Sequence, residues 1–192
     1  TTAVESVDDH VLLKLEKGHS TSDFNEVVEI TKRLELLLSP TFIPFTPWST
    51  VSNYQDLLKT IVDLGLVNNV ASVQLSIRLL IPLGSRLLEL DEIKARAPQF
   101  DQEALSYPWQ FSDPQMETLA NNVREIVEEG EQLSKTRQEI FMELWEAANN
   151  AQNTTSQPST TLNFSQDCTD IPKMSEAWYC CAEPTRFQAE QI

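Results

Sequence analysis

The stretch PTFIPFTPWST, Pro40 to Thr50, decides the fold. Thr41 to Phe45 is brief, β-branched and aromatic, and prolines bound it, which predicts a buried strand running into a proline-rich turn at Pro44 and Pro47. Side chains near such a turn can face a site. Directly afterwards, Ser52 and Gln55 have the spacing of a capping box. Tyr54, Leu58, Ile61 and Val62 then supply the apolar face of a helix that stops at Gly65. A buried strand followed at once by an amphipathic helix is one unit of an α/β repeat.

The flanks extend that unit. Upstream, Ser20 to Ser22 offer caps for a helix whose stripe is Phe24, Val27, Val28, Ile30, Leu34 and Leu38, with Pro40 marking its end. Before it, Asp8 or Ser6 caps a shorter helix through about Lys17, built on Val11, Leu12 and Leu15, and Gly18 supplies a left-handed stop. Downstream, Val73, Leu75, Ile77 and Leu79 alternate with Ser72, Gln74, Ser76 and Arg78, which predicts a strand with one polar face. The order over residues 1–81 is strand end, helices, strand, helix, strand. Connections of helix length force neighbouring strands to be parallel.

After Gly84 the pattern predicts a helix to about Ala95, then an irregular aromatic stretch containing Tyr107, Pro108, Trp109 and Phe111. A long helical region follows from Asp113 to Asn149, in which Leu119, Val123, Ile126, Leu133, Ile140 and Leu144 keep a 4,3 spacing. Gly130 and Arg137 interrupt that seam, so it suits packing against the domain better than a free coiled coil. Residues 150–166 are Asn, Gln, Ser and Thr with little to bury and read as a linker. The expected organisation is therefore residues 1–90, a helical extension over 91–149, a linker over 150–166 and a cysteine-bearing tail over 167–192.

The chain has 192 residues, 41% of them hydrophobic, enough for one core and a smaller appendage. Fourteen basic against 29 acidic side chains give a formal charge of −15. That charge repels nucleic-acid phosphates and anionic membrane faces, so neither is expected as a primary partner. The longest apolar stretch is Leu79 to Leu83 and no signal-peptide pattern opens the chain, so a cytoplasmic protein is expected. Three cysteines, Cys168, Cys180 and Cys181, are too few and too clustered to staple a secreted scaffold, and the sequons at Asn153 and Asn163 read as chance matches. Thr1 and Thr2 open the sequence without Met and run straight into a patterned region, as an excised fragment would.

Four segments in order resemble the second half of radical S-adenosylmethionine (SAM) domains, particularly the group often joined to a B12-binding domain. Ala3-Val4-Glu5-Ser6, with Asp9, Val11, Leu12 and Lys17-Gly18-His19, is similar to the fourth strand and its helix, with Ala3 in place of the usual Gly. Pro40 to Thr50 with Asp56-Leu57-Leu58 resembles the fifth strand, although Phe45 and Trp48 replace its glycines. Val73 to Glu89 resembles the sixth strand and its exit. Trp178-Tyr179-Cys180-Cys181-Ala182-Glu183-Pro184-Thr185 resembles the CUAEP or CCAEP tail of one radical SAM subgroup.

The resemblance implies an α/β fold, the C-terminal half of a radical SAM partial (β/α) barrel with a helical C-terminal extension. Its partner is then the N-terminal half of the same barrel, and its cofactors are S-adenosylmethionine and a 4Fe–4S cluster whose C-x3-C-x2-C ligands lie outside this chain. Cobalamin and an auxiliary Fe–S cluster are further candidates. In such enzymes the reduced cluster supplies an electron to SAM for radical chemistry, here on a small-molecule or peptide substrate of unassigned identity. By position, Glu5 with Ser6 would contact the ribose or amino group of SAM, Lys17 its carboxylate, and Thr41 the ribose hydroxyls, while Arg78 would face the lumen. A half barrel would leave an unpaired strand edge and an exposed apolar face.

Each of these residues has a second reading. Glu5 can cap the following helix with Ser6, and Lys17 can complement a helix dipole. Arg78 can pair with an acidic neighbour, and His19 reads as a capping or surface residue more than a base. Cys168, Cys180 and Cys181 fit a redox set, an auxiliary-cluster ligand set or plain reduced thiols. The competing function is a non-catalytic helical interaction module derived from a barrel half.

Overall fold

A parallel crossover begins the fold. In the computed structural model, which describes residues 1–97 and 99–151, β1 (Thr2–Glu5) leads through α1 (Asp9–Lys14) and α2 (Thr21–Arg33) to β2 (Pro40–Phe42). The linker and cysteine tail expected beyond residue 151 lie outside the described residues. β1 and β2 pair in parallel with Thr2 opposite Pro40, Ala3 opposite Thr41 and, after an irregularity, Glu5 opposite Phe42. The Ile43 amide donates to the Glu5 carbonyl at 2.8 Å and prolongs the pairing. Then follow α3 (Val51–Asp63), α4 (Asp91–Arg96), α5 (Pro114–Gln132) and α6 (Arg137–Ala151), with 3-10 turns at Ser72–Leu75 and Arg86–Glu89. The described residues are thus mixed α/β and mostly helical, with a two-stranded parallel sheet.

Of the strand expected over 72–81, the described residues show a parallel bridge between Phe45 and Arg78. Phe45 N donates to Ile77 O at 3.2 Å, and Leu79 N donates to Phe45 O at 2.8 Å. Ahead of it, Ser72–Leu75 coils into a 3-10 turn. The reason is Gln74, which is buried and whose Oε1 accepts from the Phe42 amide at 3.2 Å. A side-chain carbonyl thereby occupies a ladder position that main chain would otherwise fill. The two-residue alternation ends there, because side chains on a 3-10 turn recur every three residues.

Two apolar cores flank the strands. Val4, Phe24, Val28, Phe42, Phe45, Tyr54, Leu58 and Ile61 join Met116, Val123, Ile140 and Leu144 in one cluster, so α5 and α6 share a core with the α/β segment. Ile43, Ile77, Leu79 and Ile81 pack in a second cluster with Ile93, Ala97 and Trp109. Ile77 and Leu79, on the face expected to be apolar, are therefore covered together with Ile81 by the chain that follows. β1 lies at the sheet edge, and Val27, Leu34, Leu36 and Leu37 are exposed large hydrophobics of α2 and the segment after it.

The helices begin where polar side chains meet their first amides. Ser20 and Asp23 form the capping box of α2. α3 is capped by Thr50 with Asn53, two residues ahead of the expected Ser52 and Gln55 pair. Gln55 instead donates to the Ala148 carbonyl at 3.0 Å and ties α3 to α6. The helical region after Asp113 breaks at Leu133 to Thr136, where Ser134 adopts φ 55° and Thr136 with Glu139 restarts the chain as α6. Backbone and hydroxyl hydrogen bonds from Thr136 hold the Glu139 carboxyl below the usual range.

Gly130, expected to interrupt the seam, is what lets α5 and α6 meet closely. A Cβ there would lie 2.6 Å from Cγ1 and 2.7 Å from Cδ1 of buried Ile140. Gly130→Ala gains up to about 1 kcal/mol of helix propensity. Overpacking against Ile140 costs about 1–3 kcal/mol and outweighs it. Chemical denaturation is expected to show a net loss that Ile140→Ala in the same chain relieves. Equal penalties in both backgrounds would contradict this account.

Candidate functional site

The carboxyl end of β1 carries the main charged feature. Glu5 holds φ 68°, a left-handed conformation that a residue with a Cβ seldom adopts, and it is only 6% exposed. The turn points its carbonyl at Ile43 and its carboxylate inward, where Oε1 meets Lys17 Nζ at 2.7 Å. Lys17 reaches that place because α1 stops at Lys14, and Glu16 at φ 52° and Gly18 at φ 70° wrap the chain back. The Lys17 side chain is one-third exposed, so the pair sits at a mouth between interior and solvent. His19 closes the same corner. Its Nε2–H donates to the Val4 carbonyl at 3.1 Å, which leaves it a positioning role there.

The other expected residues are distributed differently. Ser6 Oγ accepts from the Asp8 amide at 3.1 Å and shapes the turn into α1. Asp8, whose Oδ1 accepts from His10 N at 2.8 Å, caps that helix, so Glu5 does not. Thr41 donates to the Thr2 carbonyl at 3.4 Å, toward the start of β1. Arg78 does not join Glu5 and Lys17. Its Nη1 meets both Glu117 carboxylate oxygens at 3.3 Å, its guanidinium lies 4.0 Å from the Trp109 ring centre and 4.7 Å from that of Phe111, and Nη2 donates to the Trp109 carbonyl. The lumen position is exchanged for an aromatic seat because Trp109 is fixed from below by its Nε1–H to Leu79 O at 2.7 Å.

An ion-paired strap lies over the strand ends. Glu92 on α4 accepts from Lys14 Nζ and from Trp48 Nε1, both at 2.7 Å. Lys14 above all, with Trp48, holds the Glu92 carboxyl below the usual range. Arg96 donates to the Pro47 carbonyl, and Arg86 pairs with Glu16 at 2.7 Å. Residues 86–96 are thereby fastened to α1 and to the turn after β2. No spacing rule links residue 14 to residue 92, so the strap leaves no signal in the sequence.

No family model, curated protein or solved structure matches the chain.

The arrangement itself then indicates what chemistry is available. A carboxylate and an ammonium 2.7 Å apart at a strand end complement the ammonium and carboxylate of an amino acid, each charge finding its opposite. Among the described residues no group of three or more His, Cys, Asp or Glu side chains is placed to hold a metal. Cys168, Cys180 and Cys181 lie outside the described residues. Among those residues, too, no helix is long and apolar enough to cross a membrane.

Proposed function

We propose that the chain forms the second half of a radical SAM barrel and that Glu5 and Lys17 hold the amino-acid end of S-adenosylmethionine. The observation that carries this reading is the Glu5–Lys17 pair, buried on one side, at the carboxyl end of a parallel strand whose last residue is left-handed. Ligands of open α/β sheets bind outside the carboxyl ends of the strands. Backbone strain concentrates at such sites. The parallel order of β1, β2 and the Phe45–Arg78 bridge, linked by helices, supports the same reading.

Binding exchanges one ion pair for two. Lys17 releases Glu5 and takes the ligand carboxylate, while Glu5 accepts from the ligand ammonium. Ser6 and His19 hold the turn that carries Glu5. SAM with a reduced iron–sulfur cluster supplies one-electron chemistry when bound, and this half of the barrel supplies orientation and exclusion of water. In this reading the cluster ligands lie in the preceding half, and Cys168, Cys180 and Cys181 form an auxiliary-cluster or redox set.

The test uses the product of the complete gene, purified and reconstituted anaerobically. Iron content, SAM affinity by equilibrium dialysis and release of 5′-deoxyadenosine are measured for the natural protein and for Glu5→Gln and Lys17→Met. Each substitution is expected to weaken SAM binding about tenfold or more, since 1.4 kcal/mol is tenfold and truncating one member of a buried charge pair costs more. Iron content should stay unchanged in both, whereas Ala at all three cysteines should lower it if they bind a cluster. Unchanged SAM affinity overturns the site, and a product that binds neither iron nor SAM overturns the family.

A further inference from the structure

An apolar cluster begins directly beside the Glu5–Lys17 pair. The Ile43 amide bonds to the Glu5 carbonyl, and Leu15 stands two residues before Lys17. Both side chains pack in the cluster that Ile93 of the strap closes, with Leu87, Leu88 and Leu90 against it. We infer that the strap, residues 86–96, is an autoinhibitory cover: an amino acid alone binds at Glu5 and Lys17 beside it, whereas a ligand that continues over Ile43 binds only when the strap swings away. This rests on the Glu5–Lys17 reading and adds the regulation of that site.

Three observations carry it. The first is placement. A group that extends from the pair past the carboxyl end of β2 meets Ile43, which is already buried under the cluster, so the room it needs is taken. The second is seating. Within the strap Ile93 is buried, but Leu87, Leu88 and Leu90 are half-buried and Arg86–Glu89 buries no side chain. By contrast, α3 buries Val51, Tyr54, Leu57, Leu58 and Ile61. Segments with few buried apolar contacts are those that open locally. The third is fastening. The strap is held to α1 and to the turn after β2 by polar contacts: Glu92 with Lys14 and Trp48, Arg96 with the Pro47 carbonyl, and Arg86 with Glu16. Arg86 and Glu16 are mostly exposed and Lys14 and Glu92 partly so, and water replaces partners of that kind at small cost. Just ahead of the strap, Gly84 holds φ 81° with open space at its Cβ position, which suits it to absorb a hinge rotation.

What leaves and what enters are matched. Opening alone turns Ile43, Ile77 and Leu79 toward water, so the closed form prevails without ligand. A ligand whose planar or apolar part covers that floor restores the burial, while its ammonium and carboxylate take Glu5 and Lys17. Binding and opening are then one equilibrium, and the apparent affinity is the intrinsic affinity reduced by the closed fraction. The adenosyl group of S-adenosylmethionine is such an extension. S-methylmethionine has the same amino-acid end and sulfonium charge without it.

The product of the complete gene, reconstituted anaerobically, is titrated with each of these two compounds. Affinity is measured by equilibrium dialysis, and the NMR signal of Trp48 Nε1–H reports on the fastening to Glu92. S-adenosylmethionine is expected to shift that signal saturably, and S-methylmethionine to bind without shifting it. Glu92→Gln and Lys14→Met each break the Lys14–Glu92 pair, one from either side. Both should tighten S-adenosylmethionine about threefold and leave S-methylmethionine within about twofold of its affinity for the natural protein. Both side chains are partly exposed, so both variants are expected to fold, and either one suffices for the test. Unchanged or weakened S-adenosylmethionine binding in these variants, or a Trp48 signal unmoved at saturation, overturns the cover while S-methylmethionine binding that Glu5→Gln weakens leaves the Glu5–Lys17 reading in place. Failure of both compounds to bind the natural protein overturns that reading and the cover with it.

Discussion

Phe45→Ala is expected to remove about 3–5 kcal/mol of unfolding free energy. For a domain whose whole stability is of order 5–15 kcal/mol, that is enough to leave much of the population unfolded on mild heating. Phe45 is fully buried, stacks on Tyr54 at 5.1 Å between ring centres, and meets Phe111 edge-on at 6.2 Å. Its main chain also makes two hydrogen bonds that join the segment after β2 to residues 77–79. A cavity at this point therefore lies where the main core, the third strand position and the aromatic segment converge. The Tyr54 hydroxyl below it donates to the Leu75 carbonyl at 3.1 Å, and burial pushes that phenol well above its ordinary range, so the hydrogen bond persists at any working pH. Tyr54→Phe is milder, about 1–2 kcal/mol for one buried hydrogen bond. Urea unfolding with an unchanged slope and a lowered midpoint is the expected signature for Phe45→Ala. A loss below about 1 kcal/mol would mean that the core collapses around the gap, contrary to this packing.

Lys17→Met is expected to cost about 2–3 kcal/mol, between the value of an exposed ion pair and that of a fully buried one. The loss arises from what stays behind: the Glu5 carboxylate, 8% exposed, without the ammonium at 2.7 Å. Combining it with Glu5→Gln removes the stranded charge, so the double variant should recover most of the loss. Glu5→Gly adds a second contrast. Glycine takes φ 68° without the penalty of about 1–2 kcal/mol that a Cβ incurs. The glycine variant is thus expected to be at least as stable as Glu5→Ala, while losing whatever binding the carboxylate provides. A double-mutant cycle on thermal and urea unfolding measures the coupling directly. Purely additive costs for Glu5 and Lys17 would show that the pair is not an energetic unit.

The parts of the fold legible from spacing are those held by near neighbours. The apolar positions of α2 and α3, and a stop beside Gly65, follow from helix periodicity, since each helical amide bonds four residues back. Even there the cap of α3 was ambiguous: Thr50–Asn53 and Ser52–Gln55 have the same spacing, and the choice rests on Ala148, which claims Gln55 from 93 residues away. The strand over 72–81 reads well as alternation and yet coils, because Gln74 answers the Phe42 amide 32 residues earlier. Gly130 reads as a break in a seam and is instead the point of closest helix contact.

The same division runs through the candidate site. Glu5 and Lys17 stand out in sequence through a resemblance, and they meet in space because two left-handed residues fold the end of α1 back on the strand. Arg78 stands out on a polar strand face, but its partners Trp109 and Glu117 lie 31 and 39 residues further on. By itself the sequence determined the parallel crossover order, the amphipathic helices and the acidic surface, all of which depend on local hydrogen bonding, periodicity and composition. Only the tertiary structure decided which part of the chain covers Ile77, Leu79 and Ile81, that α5 and α6 share the core of the α/β segment, and that Glu92 ties α1 to the turn after β2. Those outcomes turn on which distant group reaches a buried donor or charge first, and neither spacing nor composition carries that information.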